Sequence, residues 1–248
     1  MITLDDVTVQ YDQLTAVKEI TLTVERGEFV TIIGPSGCGK TTILRTIGGL
    51  EEPTTGTALV GGRPPERAQS EANIGYVFQR HTLFPWKSAL DNVTFLRKMA
   101  GQSADEAEAL SLLDTMGLDG FEDAKPAALS GGMKQRVAIA RGLHLGADVL
   151  LMDEPFGELD EITRDRLSIE LADVVRQEEK TVVFITHSVP EAVFLADRCL
   201  IMSDDPGEIR EEIAVDLPRP RDEDVYESDA FHELVADVRR VIHGNTNR

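Results

Sequence analysis

Cysteine and long apolar runs are scarce in this sequence, and both shortages restrict where the protein can act. Two cysteines, Cys38 and Cys199, occur among 248 residues. They are too few for a disulfide framework, so we expect a protein of the reducing cytoplasm. No apolar run approaches the roughly 18 residues of a membrane span, and no basic region followed by an apolar stretch opens the chain. We therefore expect a chain that neither spans a membrane nor is secreted.

Basic residues are also few. The sequence has 25 Lys and Arg against 44 Asp and Glu, a formal net charge of −19. Binding to nucleic-acid phosphates requires a basic face, so we expect no nucleic-acid partner. Self-repulsion of this size is easier to tolerate where salt screens it, and we interpret it as adaptation to a salt-rich cytoplasm. The alternative is an acidic surface without special meaning. At 42% hydrophobic residues, the chain can bury a core as one domain with a subdomain.

A phosphate-binding loop is indicated by the segment Gly34-Pro35-Ser36-Gly37-Cys38-Gly39-Lys40-Thr41-Thr42, which matches G-x-x-x-x-G-K-[ST]. Its glycines let consecutive backbone N–H groups point at phosphate oxygens. Lys40 adds positive charge at the β- and γ-phosphates, and the Thr41 hydroxyl can ligate Mg²⁺. The apolar, β-branched run 29–33 precedes the loop and a helical run follows it. This strand–loop–helix context argues against an ordinary glycine-rich turn.

Two further apolar runs deliver polar residues to the same edge of the predicted parallel sheet. Asp153 and Glu154 follow the run 149–152, and His187 follows the run 181–186. Ligands of open α/β sheets bind at the carboxyl ends of the strands. Adjacent acids that end a buried strand are costly unless they face a metal or a polar site. For His187 a structural and a functional role are equally weighted at this point.

Between these strands lies a long helical insertion that ends at Leu129-Ser130-Gly131-Gly132-Met133, here called the signature segment. A second helix N-terminus follows it, which favours a second anion site. Outside the insertion, alternating patterns predict strands at 2–10 and 20–24, with Tyr11 after the first. Shorter strands are predicted at 57–60, 74–78 (followed directly by Gln79) and 199–202.

Two other regions stand out. The stretch Leu83-Phe84-Pro85-Trp86 is strongly apolar in a loop-like setting, and core packing and a partner-docking surface explain it equally well. The segment 203–229 carries eleven acids against three arginines. The apolar spacing after it predicts an amphipathic terminal helix.

These elements, in this order and spacing, resemble the ATP-binding subunit of an ABC transporter over nearly the whole chain. The signature segment is the part that other phosphate-loop ATPases lack. The resemblance implies an α/β fold, with a RecA-like phosphate-loop ATPase core, an antiparallel β subdomain and an α-helical subdomain at about 88–145. An acidic segment and helix at about 203–248 would complete one ATP-binding domain over 1–248, with ATP and Mg²⁺ as cofactors.

The resemblance also implies residue roles. Glu154 would polarise the attacking water, His187 would hold the γ-phosphate, and Tyr11 would stack on adenine. Gln79 would reach the metal and the water and would relay to a membrane partner. Nucleotide phosphates and Mg²⁺ would be held by Gly34, Pro35, Ser36, Gly37, Cys38, Gly39, Lys40, Thr41 and Thr42, with Thr41, Gln79 and Asp153 at the metal. Cys38 is expected to be a small filler, because phosphoryl transfer to water needs no thiol nucleophile.

The same resemblance implies partners. A second copy would share each ATP, with Ser130, Gly131 and Gly132 binding the γ-phosphate of nucleotide held by the other subunit and Asp160 crossing the dimer interface. Transmembrane permease subunits would carry the solute, and an upstream solute-binding protein would act indirectly. The chain would lie peripherally on the cytoplasmic face of the membrane.

One position departs from the family pattern. Met133 stands where many members have Gln, so a side-chain hydrogen bond to the second nucleotide is lost while the Ser130 hydroxyl and the backbone donors remain. Met133, the stretch 83–86 with Leu90-Asp91-Asn92-Val93, and the tail Leu217-Pro218-Arg219-Pro220-Arg221 are similar to the nitrate, sulfonate and taurine importer branch. Riboflavin-precursor and pyrimidine importers resemble it at these positions.

Other functions fit less well. A soluble ABC ATPase of repair or translation would need tandem cassettes or a coiled-coil insertion, and this chain has neither. A phosphate-loop kinase or GTPase would leave the signature segment unexplained. A non-hydrolysing regulatory module would not need Glu154 and His187.

Overall fold

Strands and helices alternate along most of the chain. The computed structural model describes residues 1–157, 159–204 and 206–244, and within them the chain forms nine strands and nine α-helices. The strands are β1 (Ile2–Tyr11), β2 (Leu14–Val24), β3 (Phe29–Ile33), β4 (Thr55–Val60), β5 (Ile74–Val77), β6 (Val149–Asp153), β7 (Thr181–Ile185), β8 (Arg198–Ser203) and β9 (Glu208–Ala214). The helices are α1 (Lys40–Ile47), α2 (Pro65–Ser70), α3 (Ala89–Met99), α4 (Glu106–Thr115), α5 (Gly131–His144), α6 (Glu161–Gln177), α7 (Val189–Leu195), α8 (Glu223–Glu227) and α9 (Asp229–Gly244).

The larger sheet has six strands in the order β5-β6-β7-β3-β8-β9. Its strands run parallel from β5 to β8, and β9 is antiparallel to β8. Strands β3, β6 and β7 are buried along their whole length, as their apolar composition predicts. Because these three strands are neighbours and parallel, their carboxyl ends meet at one edge of the sheet.

The two faces of this sheet bury different cores, because successive side chains of a strand point to opposite faces. On β3, Phe29 and Ile33 join a core shared with α3 to α7 and α9. Val30 and Ile32 join a second core, shared with α1 and the smaller sheet. The phosphate-loop segment directly follows β3, so it is anchored to a strand that is packed on both faces.

The smaller sheet is antiparallel, in the order β2-β1-β4. The predicted strand is confirmed as β1, but its alternation is interrupted: Ile2, Leu4, Val7 and Val9 are all buried, and the register shifts between Leu4 and Val7. Strand β2 starts earlier than the sequence predicted, at Leu14, and pairs Leu14 with Tyr11 across a short turn. The hairpin thereby carries its turn toward the phosphate loop.

The region between β5 and β6 is helical, as the sequence predicts. It contains α3, α4, a 3₁₀ helix at Pro126–Ala128 and α5, and residues 78–148, all of which the structure describes, include no strand. Ser88, Asp105 and Ser130 cap α3, α4 and α5 by accepting a hydrogen bond from the backbone N–H three residues on. None of the helices in the described part of the chain is both long and apolar enough to cross a lipid bilayer.

The acidic segment contains a strand that the sequence did not predict. In β9 the apolar residues are Ile209, Ile213 and Ala214, which stand among Glu and Arg, so the charge conceals the pattern. Its exposed charged side chains suit an edge strand, where they oppose pairing with another chain. The amphipathic helix predicted after this segment is confirmed as α9, with Phe231, Val235 and Val238 buried.

Stability should rise with monovalent salt. A net charge of −19 repels itself, and the screening length falls to about 3 Å at 1 M salt. We expect the melting temperature, measured by circular dichroism, to rise by roughly 10 °C between low and molar KCl. Sucrose at matched osmolality is the control, since it stabilises proteins without screening charge. A flat or falling melting temperature in KCl would remove the salt-adaptation hypothesis.

Candidate nucleotide-binding and catalytic site

The loop between β3 and α1 is wrapped tightly around the Lys40 side chain. Lys40 is 5% exposed, and its Nζ donates to the carbonyl oxygens of Gly34 at 2.9 Å and Pro35 at 2.7 Å. Gly39 has φ +91, and a Cβ there would lie 2.4 Å from Val17 Cγ1. Only glycine fits this position, because both the backbone angle and the space exclude a side chain.

Helix α1 begins at Lys40, so its N-terminus opens directly on the loop. Its first turn contains no acidic residue. The free N–H groups and the helix dipole therefore favour an anion at this point. Cys38, within the loop, is buried, and burial raises the pKa of its thiol, which agrees with a small filler rather than a nucleophile.

Asp153 ends β6 and faces the first turn of α1. It is 5% exposed, and Thr41 Oγ1 donates to its Oδ1 at 3.2 Å. Burial raises the pKa of Asp153, and the hydrogen bond from Thr41 acts in the opposite direction. A cation beside this carboxylate would offset the cost of burying it.

Glu154 is held between two side chains from separate elements. Gln79 Nε2 donates to Glu154 Oε2 at 2.8 Å, and His187 Nε2 contacts Oε1. Glu154 has φ +48, a left-handed conformation that is strained for a residue other than glycine. Its backbone N–H donates to Ile185 O at 3.0 Å, and this bond ties the strained residue to the end of β7.

A cavity of about 660 Å³ brings most of the predicted site together. Tyr11, 40% exposed, lies at one side of it, while Glu154 and His187 also line it. The remaining predicted residues in its lining are Ser36, Gly37, Gly39, Lys40, Thr41, Thr42 and Gln79. Gly34 and Pro35 line an adjacent cavity that also reaches His187. The cavity is large enough for a nucleotide, and it is lined by the loop, the hairpin and residues that follow four strands, β5 to β8.

The signature residues lie elsewhere. Ser130 is exposed, and its Oγ accepts a hydrogen bond from Met133 N at 3.2 Å at the start of α5. Gly131 and Gly132 follow it, and none of the three lines the cavity around Lys40. Asp160 caps α6, and the hydrogen bonds from Thr163 lower its pKa. Ser130, Gly131 and Asp160 are thus exposed outside the cavity around Lys40.

Four residues of the cavity were missed by the sequence analysis. They are Leu14, Thr15, Ala16 and Asp204. The first three belong to β2, whose start was placed too late, and a hydrophilic turn at Asp12 and Gln13 between two alternating runs was the available signal. Asp204 follows β8, and only the sheet order places it here.

The oxygen atoms at this edge suit magnesium. Thr41, Gln79 and Asp153 offer hydroxyl, amide and carboxylate oxygens, the hard ligands that Mg²⁺ prefers. Among the described residues, no group of three or more His, Cys, Asp and Glu side chains could hold a metal by itself. Mg²⁺ is commonly held by one or two protein oxygens together with substrate phosphates, and these residues fit that arrangement.

The fold and this site define a phosphate-loop ATPase. Residues 17–157 match the family model described as ABC transporter. This chain belongs to that family, as an ATP-binding subunit with ATPase activity. The α/β fold expected from the resemblance, with its antiparallel and helical parts, is confirmed.

Three relatives illustrate the similarity. An uncharacterised ABC transporter ATP-binding protein of Methanocaldococcus jannaschii is 48% identical over 213 residues, covering 85% of this chain and 79% of the relative. The aliphatic sulfonates import ATP-binding protein SsuB 2 of Burkholderia cenocepacia is 44% identical over 212 residues, covering 86% and 77%. The nitrate import ATP-binding protein NrtD of Synechocystis sp. is 47% identical over 205 residues, covering 82% and 76%.

Solved structures agree with the fold. A bacterial ABC transporter cassette solved as a dimer has a TM-score of 0.80 at 33% identity, covering 88% of this chain and all of the other. The same cassette was solved in a post-hydrolysis state bound to ADP and Pi, with the same TM-score, identity and coverage.

Proposed function

We propose that this ATPase dimerises around ATP and energises uptake of a small anion, such as nitrate, a sulfonate or taurine, through permease subunits. The observation that carries the hydrolytic part is the Glu154 carboxylate, held by Gln79 and His187 at the edge of the phosphate-binding cavity. Similarity to sulfonate and nitrate import subunits supports uptake of an anion. One alternative function is import of a riboflavin or pyrimidine precursor. A second alternative is a soluble ABC ATPase that takes no part in transport.

The phosphate loop binds and orients the triphosphate. Its backbone N–H groups and the α1 N-terminus provide donors, and Lys40 provides positive charge. Tyr11 stacks on the adenine from the hairpin side of the cavity. Thr41, Gln79 and Asp153 would hold Mg²⁺, which when bound would neutralise phosphate charge.

Glu154 orients and polarises the attacking water by accepting its hydrogen bond. Gln79 and His187 fix the two oxygens of this carboxylate, so its direction is set before the reaction. His187 also donates toward the γ-phosphate. Phosphoryl transfer needs little covalent chemistry from the protein, so such positioning and electrostatic stabilisation supply most of the catalysis.

A second copy completes the site. Ser130, Gly131 and Gly132 are exposed or half-buried at the N-terminus of α5, outside the cavity of their own chain. In the dimer they bind the γ-phosphate of ATP held by the other subunit, and Asp160 lies at the interface between the two.

The loop at residues 79–87, here called the docking loop, is proposed to contact the permease at the cytoplasmic face of the membrane. Its backbone is fixed by buried side chains: Asn92 accepts from Phe84 N at 2.8 Å, and Arg141 donates to Thr82 O at 3.0 Å. Phe84 packs on Phe95 with ring centroids 4.3 Å apart. Trp86 instead remains 68% exposed, and a large aromatic on an ordered loop is typical of an interface.

The two explanations of the apolar stretch that the sequence left open are proposed to apply to different residues. Leu83 and Phe84 pack against neighbouring side chains, and Trp86 faces outward.

Trp86→Ala should therefore abolish stimulation of ATP hydrolysis by the permease while leaving the basal rate of the isolated protein within about twofold. Leu59→Ala, at another exposed apolar residue, in β4, is the matched control. Loss of nucleotide binding in Trp86→Ala would contradict the docking assignment.

The solute is tested in proteoliposomes that contain this protein with candidate permease and solute-binding subunits. ATP hydrolysis should increase when nitrate, taurine or an alkanesulfonate is supplied, and the labelled solute should accumulate. Stimulation by a riboflavin or pyrimidine precursor alone would favour the alternative importer. A permease that never changes the ATPase rate would contradict the transport function.

A further inference from the structure

A carboxyl group outside the proposed mechanism is buried directly behind the catalytic side chains. Glu191, in the first turn of α7, is 5% exposed. Its Oε2 accepts a hydrogen bond from the Thr186 hydroxyl, and in the described part of the chain its Oε1 has no hydrogen-bond partner. A buried acid with one unpartnered oxygen is costly, so its presence needs an explanation.

The contacts of Glu191 enclose the turn that carries His187. Ser188 N donates to Thr186 Oγ1 at 3.0 Å, and Glu191 N donates to Ser188 Oγ at 3.4 Å. These bonds link the residues on both sides of His187 to the start of α7. A cavity of about 220 Å³ joins Glu191 and Thr186 to His187 and Glu154.

We propose that Glu191 is a positioning residue for His187. Through Thr186, its carboxyl group fixes the turn that presents the imidazole to Glu154. The ionised carboxylate accepts a charge-assisted hydrogen bond from Thr186 and holds the turn most firmly. This inference rests on the catalytic role proposed for His187. It adds a residue that supports that role without touching the reacting atoms.

Several charged groups face Glu191. Burial raises its pKa to about 7; Thr186 and Arg164 act to lower it, and Asp165 and Glu154 act to raise it. Tyr226, from α8, also lies near: burial raises the pKa of its phenol, and Asp165 and Glu191 act in the same direction. The protonation state of Glu191 therefore changes near neutral pH, and the strength of its hydrogen bond to Thr186, which holds the turn, changes with it.

The first test compares kcat and KM for ATP. Thr186→Val and Glu191→Ala should each lower kcat by about tenfold or more and leave KM within about twofold, because a displaced catalytic group costs rate rather than binding. Glu191→Gln keeps the shape and a hydrogen bond to Thr186, so it should retain most of kcat at mildly acidic pH. Thr31→Val is the matched control: Thr31 is an equally buried threonine that donates to Ala192 O and does not touch the turn.

The second test uses the pH profile, which a purely structural role would not alter. The ratio of kcat for the parent to kcat for Glu191→Gln should rise through about pH 7, the pKa of Glu191, because glutamine does not titrate. The free energy of unfolding of the parent relative to Glu191→Gln should instead fall as pH rises. Folding raises the pKa of Glu191 from 4.5 to about 7, so the parent should lose stability relative to Glu191→Gln as pH rises across that interval.

The outcomes separate this inference from the proposed function. A parent protein without ATPase activity would refute the proposed function. An active parent with kcat unchanged in both Thr186→Val and Glu191→Ala would overturn the positioning role. If Glu191→Ala does not fold, the ratio for Glu191→Gln still decides: a ratio independent of pH overturns the proposal, and a rise near the pKa supports it.

Discussion

Alanine in place of Lys40 is expected to reduce the affinity for ATP by at least about 100-fold, measured by calorimetry. The side chain would supply positive charge at the bound phosphates, and the cavity contains no other lysine or arginine among its described lining residues. Its Nζ also bonds the carbonyl oxygens of Gly34 and Pro35, so the variant should lose some loop order as well. The core should remain, because Lys40 packs at the edge of the sheet.

Lys180→Ala is the control for that measurement. Lys180 is 6% exposed and donates to Ala147 O at 2.9 Å, so its burial and bonding resemble those of Lys40. Its loss should lower the melting temperature without changing ATP affinity, since it lies outside the cavity. An ATP affinity of folded Lys40→Ala within about twofold of the parent would show that the phosphate-loop assignment is wrong.

Glutamine in place of Glu154 is expected to lower kcat by at least about 100-fold and to trap an ATP-bound dimer. The amide keeps the shape and can still accept from Gln79, but it no longer polarises water as a carboxylate does. In the proposed shared-site dimer, each ATP would link a phosphate loop to the signature segment of the other subunit. Without hydrolysis the γ-phosphate would persist, and the dimer would persist with it.

Light scattering distinguishes the outcomes. Glu154→Gln should be a dimer with ATP and Mg²⁺ and a monomer with ADP, and loss of one negative charge per site should help closure. Glu66→Gln, which removes an acidic side chain from α2, controls for charge alone and should behave as the parent. A variant that stays monomeric with saturating ATP at high salt, where repulsion is screened, would contradict the shared-site mechanism.

Sequence reasoning succeeded where a single segment carries its own pattern. Strands β3, β6 and β7 are short apolar runs because both of their faces are buried. It failed where the pattern was mixed. Strand β9 is an edge strand with charged side chains, and its pairing with β8 is visible only in the sheet. The buried Glu191 was also missed, because a lone acid in the first turn of a helix ordinarily serves the helix dipole.

The sequence by itself determined which residues are candidates for binding and catalysis, because phosphate loops, strand-end acids and helix N-termini are local features of the chain. The tertiary structure decided which of them meet. It places Glu154 between Gln79 and His187, it leaves Ser130 and Asp160 outside the cavity, and it sets Glu191 behind the His187 turn. These relations depend on strand order and on packing between distant segments, and neither is encoded in a single stretch of sequence.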